Sequence, residues 1–217
     1  MIKVENIDVF NFEGAIRGMR NPKNSWDKSD SEFDIQYYDE DGNETEYYKV
    51  QIGENDLNLM RTLYNAGSEH RKYLRQIFVS MDITAPLYWW KEFDTYKVGT
   101  TADSCSTMHK IHAKEFELDD FSHEHLNRYG EDTLANTLVT LNVARDKYLY
   151  GKQKEDWWVM IQLLPSSYNQ KRTVTMNYEN VVTMIRQRTG HKLDEWNDFV
   201  KILKSLPYVQ EIMKIMN

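Results

Sequence analysis

Residues 95–108 place small hydroxyl side chains, a lysine and the chain's only cysteine directly after an aromatic segment. The aromatic segment reads APLYWWKEFD and the following residues read TYKVGTTADSCSTM. A loop of this kind offers backbone N–H groups and hydroxyls, and Lys97 adds positive charge, so it could hold a phosphate. Cys105 could act as a nucleophile beside a cation. The simpler interpretations, which we favour from this segment alone, are a solvated connection and a small buried cysteine.

Four histidines and four late basic residues are further candidates for ligand binding. The spacing of the histidines could suit zinc, but no cysteine pattern or H-E-x-x-H motif accompanies them, so we predict no metal site. Arginine can bind phosphates or base edges with two parallel hydrogen bonds, whereas basic residues at helix ends can also be plain surface charge. Both interpretations of the basic group stay open. The residues are His109, His112, His123, His125, Lys171, Arg172, Arg186 and Arg188.

Composition limits the class of protein. The chain has 217 residues, of which 41% are hydrophobic, so we predict one globular domain over residues 1–217. Its net charge of −7 argues against a general nucleic-acid binder, but a small anion in a local basic pocket remains compatible. The single cysteine fits a reducing compartment, and no apolar run approaches the roughly 20 residues of a membrane helix. We therefore expect a cytoplasmic protein without a membrane partner.

The elements that would position these residues begin with strands and continue with helices. Residue alternation predicts a strand in IKVENIDVF, a hairpin around Asp41 and Gly42, and extended segments in YLRQIFVSMDI and KRTVTMNY. Helical spacing predicts helices in ENDLNLMRTLYNAG, PLYWWKEFDTYKV, EDTLANTLVTLNVARDKYLYG, KEDWWVMIQLL, ENVVTMIRQRTG and LDEWNDFVKILKSL. This order predicts the α+β class, with an early antiparallel sheet and packed helices.

The order of these segments resembles that of the flavin-dependent thymidylate synthases (ThyX). SEHRKYLRQIFVSMDI and APLYWWKEF resemble the family's strand and the helix start that follows it. TYKVGTTADSCSTM falls without gaps on the family signature RHRxxSxNExSxRY. QLLP resembles the late Leu-Pro, and TVTMNYENVVTMIRQRTGHKLDEW resembles the strand and helix that carry a late arginine. The resemblance covers the layout of most of the chain after about residue 50 and implies the thymidylate synthase-complementing-protein-like fold.

Most side chains of that signature are exchanged in this sequence. Thr95, Tyr96 and Lys97 stand in place of Arg-His-Arg, the group that contacts the flavin in the family. Thr107 and Met108 replace the closing Arg-Tyr, whose arginine helps to hold the nucleotide phosphate there. Each lost charge-assisted hydrogen bond costs about 1.5–3 kcal/mol. The site therefore keeps many hydroxyls and fewer charges.

The resemblance implies two sets of site residues and one reaction. The flavin FAD would contact His70, Thr95, Tyr96 and Lys97, and a pyrimidine nucleotide would contact Lys91, Glu92, Asp103, Cys105 and Arg188. Cys105 and Arg188 are the implied catalytic residues. The reaction would be methylation of dUMP to dTMP with methylenetetrahydrofolate and NADPH as co-substrates, in a homotetramer. Three alternatives remain open: a non-catalytic nucleotide-binding or sequestering protein, a related pyrimidine-modifying enzyme, and an oligomer without a ligand.

Overall fold

Strands and helices are mixed along the whole chain. The computed structural model describes residues 2–214, apart from the side chains of Thr45, Glu46 and Tyr48. The strands are β1 (Lys3–Phe10), β2 (Glu32–Tyr38), β3 (Glu44–Gln51), β4 (Phe78–Pro86), β5 (Thr100–Ser104) and β6 (Asn169–Asn177). The helices are α1 (Phe12–Arg20), α2 (Glu54–Asn65), α3 (Leu87–Phe93), α4 (Arg128–Gly151), α5 (Lys154–Leu163), α6 (Tyr178–Arg188), α7 (Asp194–Ser205) and α8 (Val209–Met213).

The strands form two sheets. The larger sheet has the order β1-β4-β6-β5, and the smaller sheet is the antiparallel pair β2-β3. Gly42 has a φ of +81° in the turn of that hairpin, a conformation that glycine adopts without steric cost. The predicted first strand, the hairpin and the extended segment KRTVTMNY are thereby confirmed. The segment YLRQIFVSMDI is extended only from Phe78 onward, because Lys72–Arg75 forms a 3-10 helix.

The hydroxyl-rich segment differs from its prediction. We expected a helix over residues 86–98 and then a loop, but α3 ends at Phe93 and Thr100–Ser104 forms the edge strand β5. Gly99 has a φ of +76°, which turns the chain between the two elements. The β-branched pair Thr100 and Thr101 favours an extended backbone once β6 offers a pairing edge.

Two helices were not predicted. α1 has the sequence FEGAIRGMR, whose two glycines lower its intrinsic helix propensity. It buries Phe12, Ala15, Ile16 and Met19, which share one face at helical spacing. α8 has only five residues, too few for a periodic signal, and it buries Val209 and Ile212. Burial in the folded protein, rather than local propensity, stabilises both.

The chain forms two compact units, each assembled from separate stretches. The first unit contains the residues up to Ile7, Met81–Val174 and Gly190–Phe199. The second unit contains Asp8–Ser80, Thr175–Thr189 and the residues from Val200 onward. The boundaries fall inside β1, β4, β6 and α7, so four elements are continuous from one unit into the other. The single domain expected for residues 1–217 stays a prediction, and residues 1 and 215–217 lie outside the described part.

Two clusters of buried side chains contribute to the core of the first unit. The first is an aromatic cluster in which the Trp89 ring lies 4.8 Å from the Trp196 ring and 5.1 Å from the Phe93 ring, measured between centroids. It seats α3 against the start of α7. The second is an apolar cluster that includes α4 and α5, formed by Ile111, Phe116, Phe121, Leu134, Leu141, Ala144 and Met160. Together they fix both ends of the segment that carries the predicted signature.

The second unit packs α1, α2, α6 and α8 through buried aliphatic and aromatic side chains. Tyr178 at the start of α6 is buried, and its hydroxyl donates to the carbonyl of Pro207 over 2.9 Å. Burial raises the pKa of this hydroxyl. Within residues 2–214, none of the helices has both the length and the apolar character that a membrane crossing requires.

Candidate functional site

The predicted signature residues of α3 and the following turn lie in the first unit. Lys91 and Lys97 are exposed, and the Thr95 hydroxyl donates to the Glu92 carbonyl over 2.7 Å. The Tyr96 ring is half-buried, with its centroid 6.1 Å from that of Trp196. Tyr96 therefore anchors the turn on the aromatic core, while the two lysines remain accessible to a ligand.

Cys105 follows β5 directly and is exposed, with a free thiol. Its backbone N–H donates to the Lys171 carbonyl over 2.9 Å, and its carbonyl accepts from Gln170 Nε2 over 2.8 Å. The expectation of a buried cysteine is wrong, because an edge strand leaves one side of the backbone open to solvent. Asp103 on β5 is exposed as well. The backbone N–H and carbonyl of Cys105 are thus both held by β6 while its sulfur stays accessible.

Arg172 organises the neighbourhood of Cys105. Its guanidinium carbon lies 4.2 Å from the centroid of the Trp90 ring, and Nη1 donates to Asp94 Oδ1 over 2.8 Å. Its Nε donates to Gln170 Oε1 over 3.0 Å, and Gln170 in turn reaches Cys105. The guanidinium is engaged by a ring, a carboxylate and an amide. Arg172 therefore positions the segment, and the interpretation as plain surface charge does not hold for it.

A carboxylate–imidazole pair lies beside α3. Glu92 Oε2 is 3.3 Å from His191 Nε2, while His191 Nδ1 accepts the backbone N–H of Leu193 over 3.1 Å. Because Nδ1 accepts, the neutral imidazole carries its proton on Nε2 and donates it toward Glu92. Such a pair can exchange a proton with a bound molecule. Sequence reasoning selected Glu92 and missed His191, because no local pattern links two residues so far apart in the chain.

Lys171 is paired across the sheet with Asp82 on β4. Lys171 Nζ lies 2.9 Å from Asp82 Oδ2, which also accepts from Asn6 Nδ2 over 2.9 Å. The Thr173 hydroxyl donates to Asp82 Oδ1 over 2.7 Å. The hydrogen bond from Thr173, followed by those from Lys171 and Asn6, lowers the pKa of Asp82 to about 2. This cation is therefore already balanced by a carboxylate, which weakens the case for an anion site at Lys171.

His70 lies in the second unit, exposed in the turn that follows Gly67. It borders a cavity of about 410 Å³. Two lysines, two side-chain amides and the carboxylate of Glu69 line this cavity together with apolar groups. The lysines and amides can donate to a phosphate or to the polar edge of a flat ring, whereas Glu69 can only accept. The lining residues are Gly18, Met19, Asn21, Pro22, Lys23, Leu63, Glu69, His70, Lys72, Tyr73 and Gln76. The sequence offered no signal for Lys23 or Asn21, which come from the segment after α1.

Arg188 is half-buried in the last turn of α6, also in the second unit. Two residues earlier, the Arg186 guanidinium lies 4.9 Å from the centroid of the Tyr64 ring, and Arg71 lies 5.6 Å from the same ring. The guanidinium of Arg186 therefore packs on the Tyr64 ring. His70 and Arg188 belong to the second unit, and the other predicted site residues belong to the first. The expectation that all of them build one site stays a prediction.

The four candidate histidines are engaged separately. His125 Nε2 lies 3.2 Å from Asp194 Oδ2, and His123 Nδ1 lies 2.8 Å from the Phe121 carbonyl. His109 and His112 border a cavity between α4 and α5. Among the described residues, no group of three or more His, Cys, Asp or Glu side chains is arranged to hold a metal ion.

Comparison with known proteins identifies the fold. No protein-family model matches the chain, and no curated protein matches it. Two similar solved structures are of ThyX, a flavin-dependent thymidylate synthase from Helicobacter pylori, with FAD and dUMP. One has a TM-score of 0.65 at 16% identity and covers 97% of this chain and 96% of its own. The other has a TM-score of 0.66 at 17% identity and covers 99% of this chain and 100% of its own.

A third similar structure is the UMP/dUMP methylase PolB from Streptomyces cacaoi, bound with 5-Br dUMP. Its TM-score is 0.59 at 13% identity, and the match covers 97% of this chain and 93% of that one. At these identities the likeness establishes the fold. The predicted α+β class, with a thymidylate synthase-complementing-protein-like arrangement, is confirmed.

Proposed function

We propose that this protein is a divergent flavin-dependent thymidylate synthase-like protein that binds FAD and a pyrimidine nucleotide and methylates dUMP to dTMP. The observation that carries the proposal is the extent of the fold match. It spans nearly the whole of this chain and of ThyX structures that contain FAD and dUMP. Because one fold can host many functions, the residues of the candidate sites must support the same conclusion.

On the flavin side, the cavity beside His70 fits the proposal. Lys23 and Lys72 can neutralise phosphate oxygens, and Asn21 and Gln76 can pair with the polar edge of a ring. Thr95, Tyr96 and Lys97 remain proposed FAD contacts, as the resemblance to the family implies. Bound FAD, reduced by NADPH, would supply the hydride, and methylenetetrahydrofolate would supply the carbon.

On the nucleotide side, the proposal uses Lys91, Glu92, Asp103, Cys105 and Arg188. The exposed Lys91 and the half-buried Arg188 can attract a phosphate, and Glu92 can accept a ring N–H while His191 keeps it oriented. Cys105 presents an accessible thiol on a fixed backbone, which is the geometry a nucleophile requires. Arg188 and Cys105 are the proposed catalytic residues.

A second candidate is a pyrimidine-modifying enzyme with another substrate, or a protein that binds a nucleotide without reaction. The exchanged signature favours it, because Thr95 and Thr107 cannot replace the charge-assisted bonds of arginine. The likeness to a UMP/dUMP methylase supports the enzymatic version. A homotetramer and a cytoplasmic location also stay predictions; light scattering after size-exclusion chromatography measures the first.

Absorbance and thermal shift test the proposal. We expect purified protein to show the flavin bands, or to acquire them with added FAD, and to melt at a higher temperature with dUMP or dTMP. Lys97→Ala and Arg188→Ala should reduce these shifts, while the exposed Lys147→Ala on α4 should not. A protein that binds added FAD and UMP but forms no dTMP supports the second candidate. Protein that stays colourless with FAD contradicts the flavin proposal.

A further inference from the structure

A second cavity, of about 310 Å³, lies in the first unit where α4 ends and α5 begins. The lining residues are Met108, His109, His112, Tyr148, Lys152, Lys154 and Trp157. None of them belongs to the residues proposed above for FAD or the nucleotide. Its volume is at the lower end of the range for small-molecule sites.

The charge of this cavity is opposite to that of the protein. The chain has a net charge of −7, yet the described side chains that line the cavity include two lysines, two imidazoles and no carboxylate. Lys152 Nζ lies 5.3 Å from the centroid of the Tyr148 ring, a contact that restrains the ammonium beside the cavity. Glu155 and Asp156 follow Lys154 in sequence but do not line the cavity. A local positive potential therefore develops here.

The walls of the cavity are fixed by hydrogen bonds. Trp157 Nε1 donates to the Met108 carbonyl over 3.1 Å, which ties the first turn of α5 to the segment after β5. The hydroxyl oxygen of Ser106 accepts the backbone N–H groups of Met108 and His109 over 3.2 and 2.9 Å. The site is thus held in place before any ligand arrives, which reduces the ordering cost of binding.

One buried ring nitrogen beside this cavity has no hydrogen-bond partner among the described residues. His112 packs its ring edge against Tyr148 at 4.9 Å, and its buried Nδ1 has no hydrogen-bond partner among the described residues. Buried polar atoms of this kind usually have a partner.

We propose that this cavity binds the phosphate group of a small phosphate monoester. The ammonium groups of Lys152 and Lys154 would neutralise the phosphate, and the imidazoles of His109 and His112 would donate hydrogen bonds to its oxygens. Ser106 belongs to the hydroxyl-rich segment and holds the backbone of Met108 and His109, which line the cavity. The hydroxyl-rich segment therefore also shapes this second site. The site is independent of the proposed reaction, since no residue is shared.

Isothermal titration at constant ionic strength tests the proposal with three probes: inorganic phosphate, ribose 5-phosphate and UMP. The double variant Lys152→Gln and Lys154→Gln should weaken binding of ribose 5-phosphate at least tenfold. Lys97→Ala with Arg188→Ala is the matched charge-loss control and should leave this binding unchanged. If the control loses the binding and the cavity variant keeps it, the phosphate lies in the other site and the proposal is overturned.

The probes also identify the source of the phosphate. With the three probes titrated into the Lys97→Ala, Arg188→Ala variant, so that the proposed nucleotide site contributes little, tighter binding of ribose 5-phosphate or UMP than of inorganic phosphate supports a monoester. Equal affinity for all three, or binding of inorganic phosphate only, overturns the monoester assignment. NMR of the histidine ring Cε1–H signals provides a measurement without substitution at the site. Phosphate should move the signals of His109 and His112, assigned with single variants, and leave that of His125 in place. Unmoved signals at both would overturn the proposal even if a variant failed to fold.

Discussion

At the scale of single residues, the candidate basic side chains have different roles. Arg172 is engaged by Trp90, Asp94 and Gln170, and Lys171 is paired with Asp82. Lys91 and Lys97 are exposed, and each could meet a ligand. Residue type alone could not separate these roles, because the partners of Arg172 and Lys171 come from distant parts of the chain.

Asp82 gives the clearest pH dependence. Its pKa is lowered to about 2 in the folded protein by Thr173, Lys171 and Asn6, against about 3.9 in an unfolded chain. A lowered folded pKa contributes stability above the unfolded pKa, and this contribution is lost as the pH falls through the folded value. Asp82→Asn should therefore destabilise the protein at pH 6, and its difference from wild type should shrink below about pH 4.

Urea unfolding measured from pH 6 down to pH 3 checks this expectation. Thr173→Val removes one of the three hydrogen bonds to the carboxylate and should give a smaller effect in the same direction. A difference between Asp82→Asn and wild type that is constant over this range would show that Asp82 is not the titrating group.

At the scale of elements, a buried ion pair connects α1, the following segment and α2. Arg20 Nε donates to Asp56 Oδ1 over 2.6 Å, and Asp56 Oδ2 accepts from the hydroxyls of Ser29 and Ser31, each over 2.7 Å. Burial raises the pKa of Asp56, but the hydrogen bonds from Ser31, Ser29 and Arg20 outweigh it and lower the pKa overall. One carboxylate thus orders the polar connection between α1 and β2.

Asp56→Asn should cost about 3–5 kcal/mol, because it leaves the buried Arg20 without its countercharge. The measurement is the urea midpoint with the slope checked against wild type. Asp27→Asn, an exposed substitution in the same connection, should stay within about 0.5 kcal/mol. A loss below about 1 kcal/mol at Asp56 would mean that the pair is not essential to this connection.

At the scale of the whole molecule, the path of the chain between the two units determines how we expect the protein to unfold. Each unit is built from stretches that are separated in sequence, and β1, β4, β6 and α7 continue from one into the other. Neither unit corresponds to one continuous fragment. A strand that loses one half of its partners loses support for the other half, so we expect the units to unfold together.

Urea unfolding followed by two probes tests this cooperativity. Five of the six tryptophans lie in the first unit, and Trp26 lies in the second. In a Trp26→Phe variant, fluorescence reports the first unit alone, while far-UV circular dichroism reports the helices of both. The two midpoints should coincide. Two separated transitions would show that each unit unfolds independently.

The sequence by itself determined the α+β class and most of the elements. Periodic apolar residues placed β1, α2, α4 and α7, because burial of one face follows the repeat of each structure. It also placed candidate chemistry at Glu92 and Cys105, where residue type and neighbours were informative.

The tertiary structure decided the rest. It turned residues 100–104 into an edge strand, joined Glu92 to His191, and assembled a basic cavity from the ends of α4 and α5. These features depend on which segments, distant in sequence, come into contact when the chain folds. The free energy of such contacts comes from pairing and burial between partners, which a single stretch of sequence does not encode.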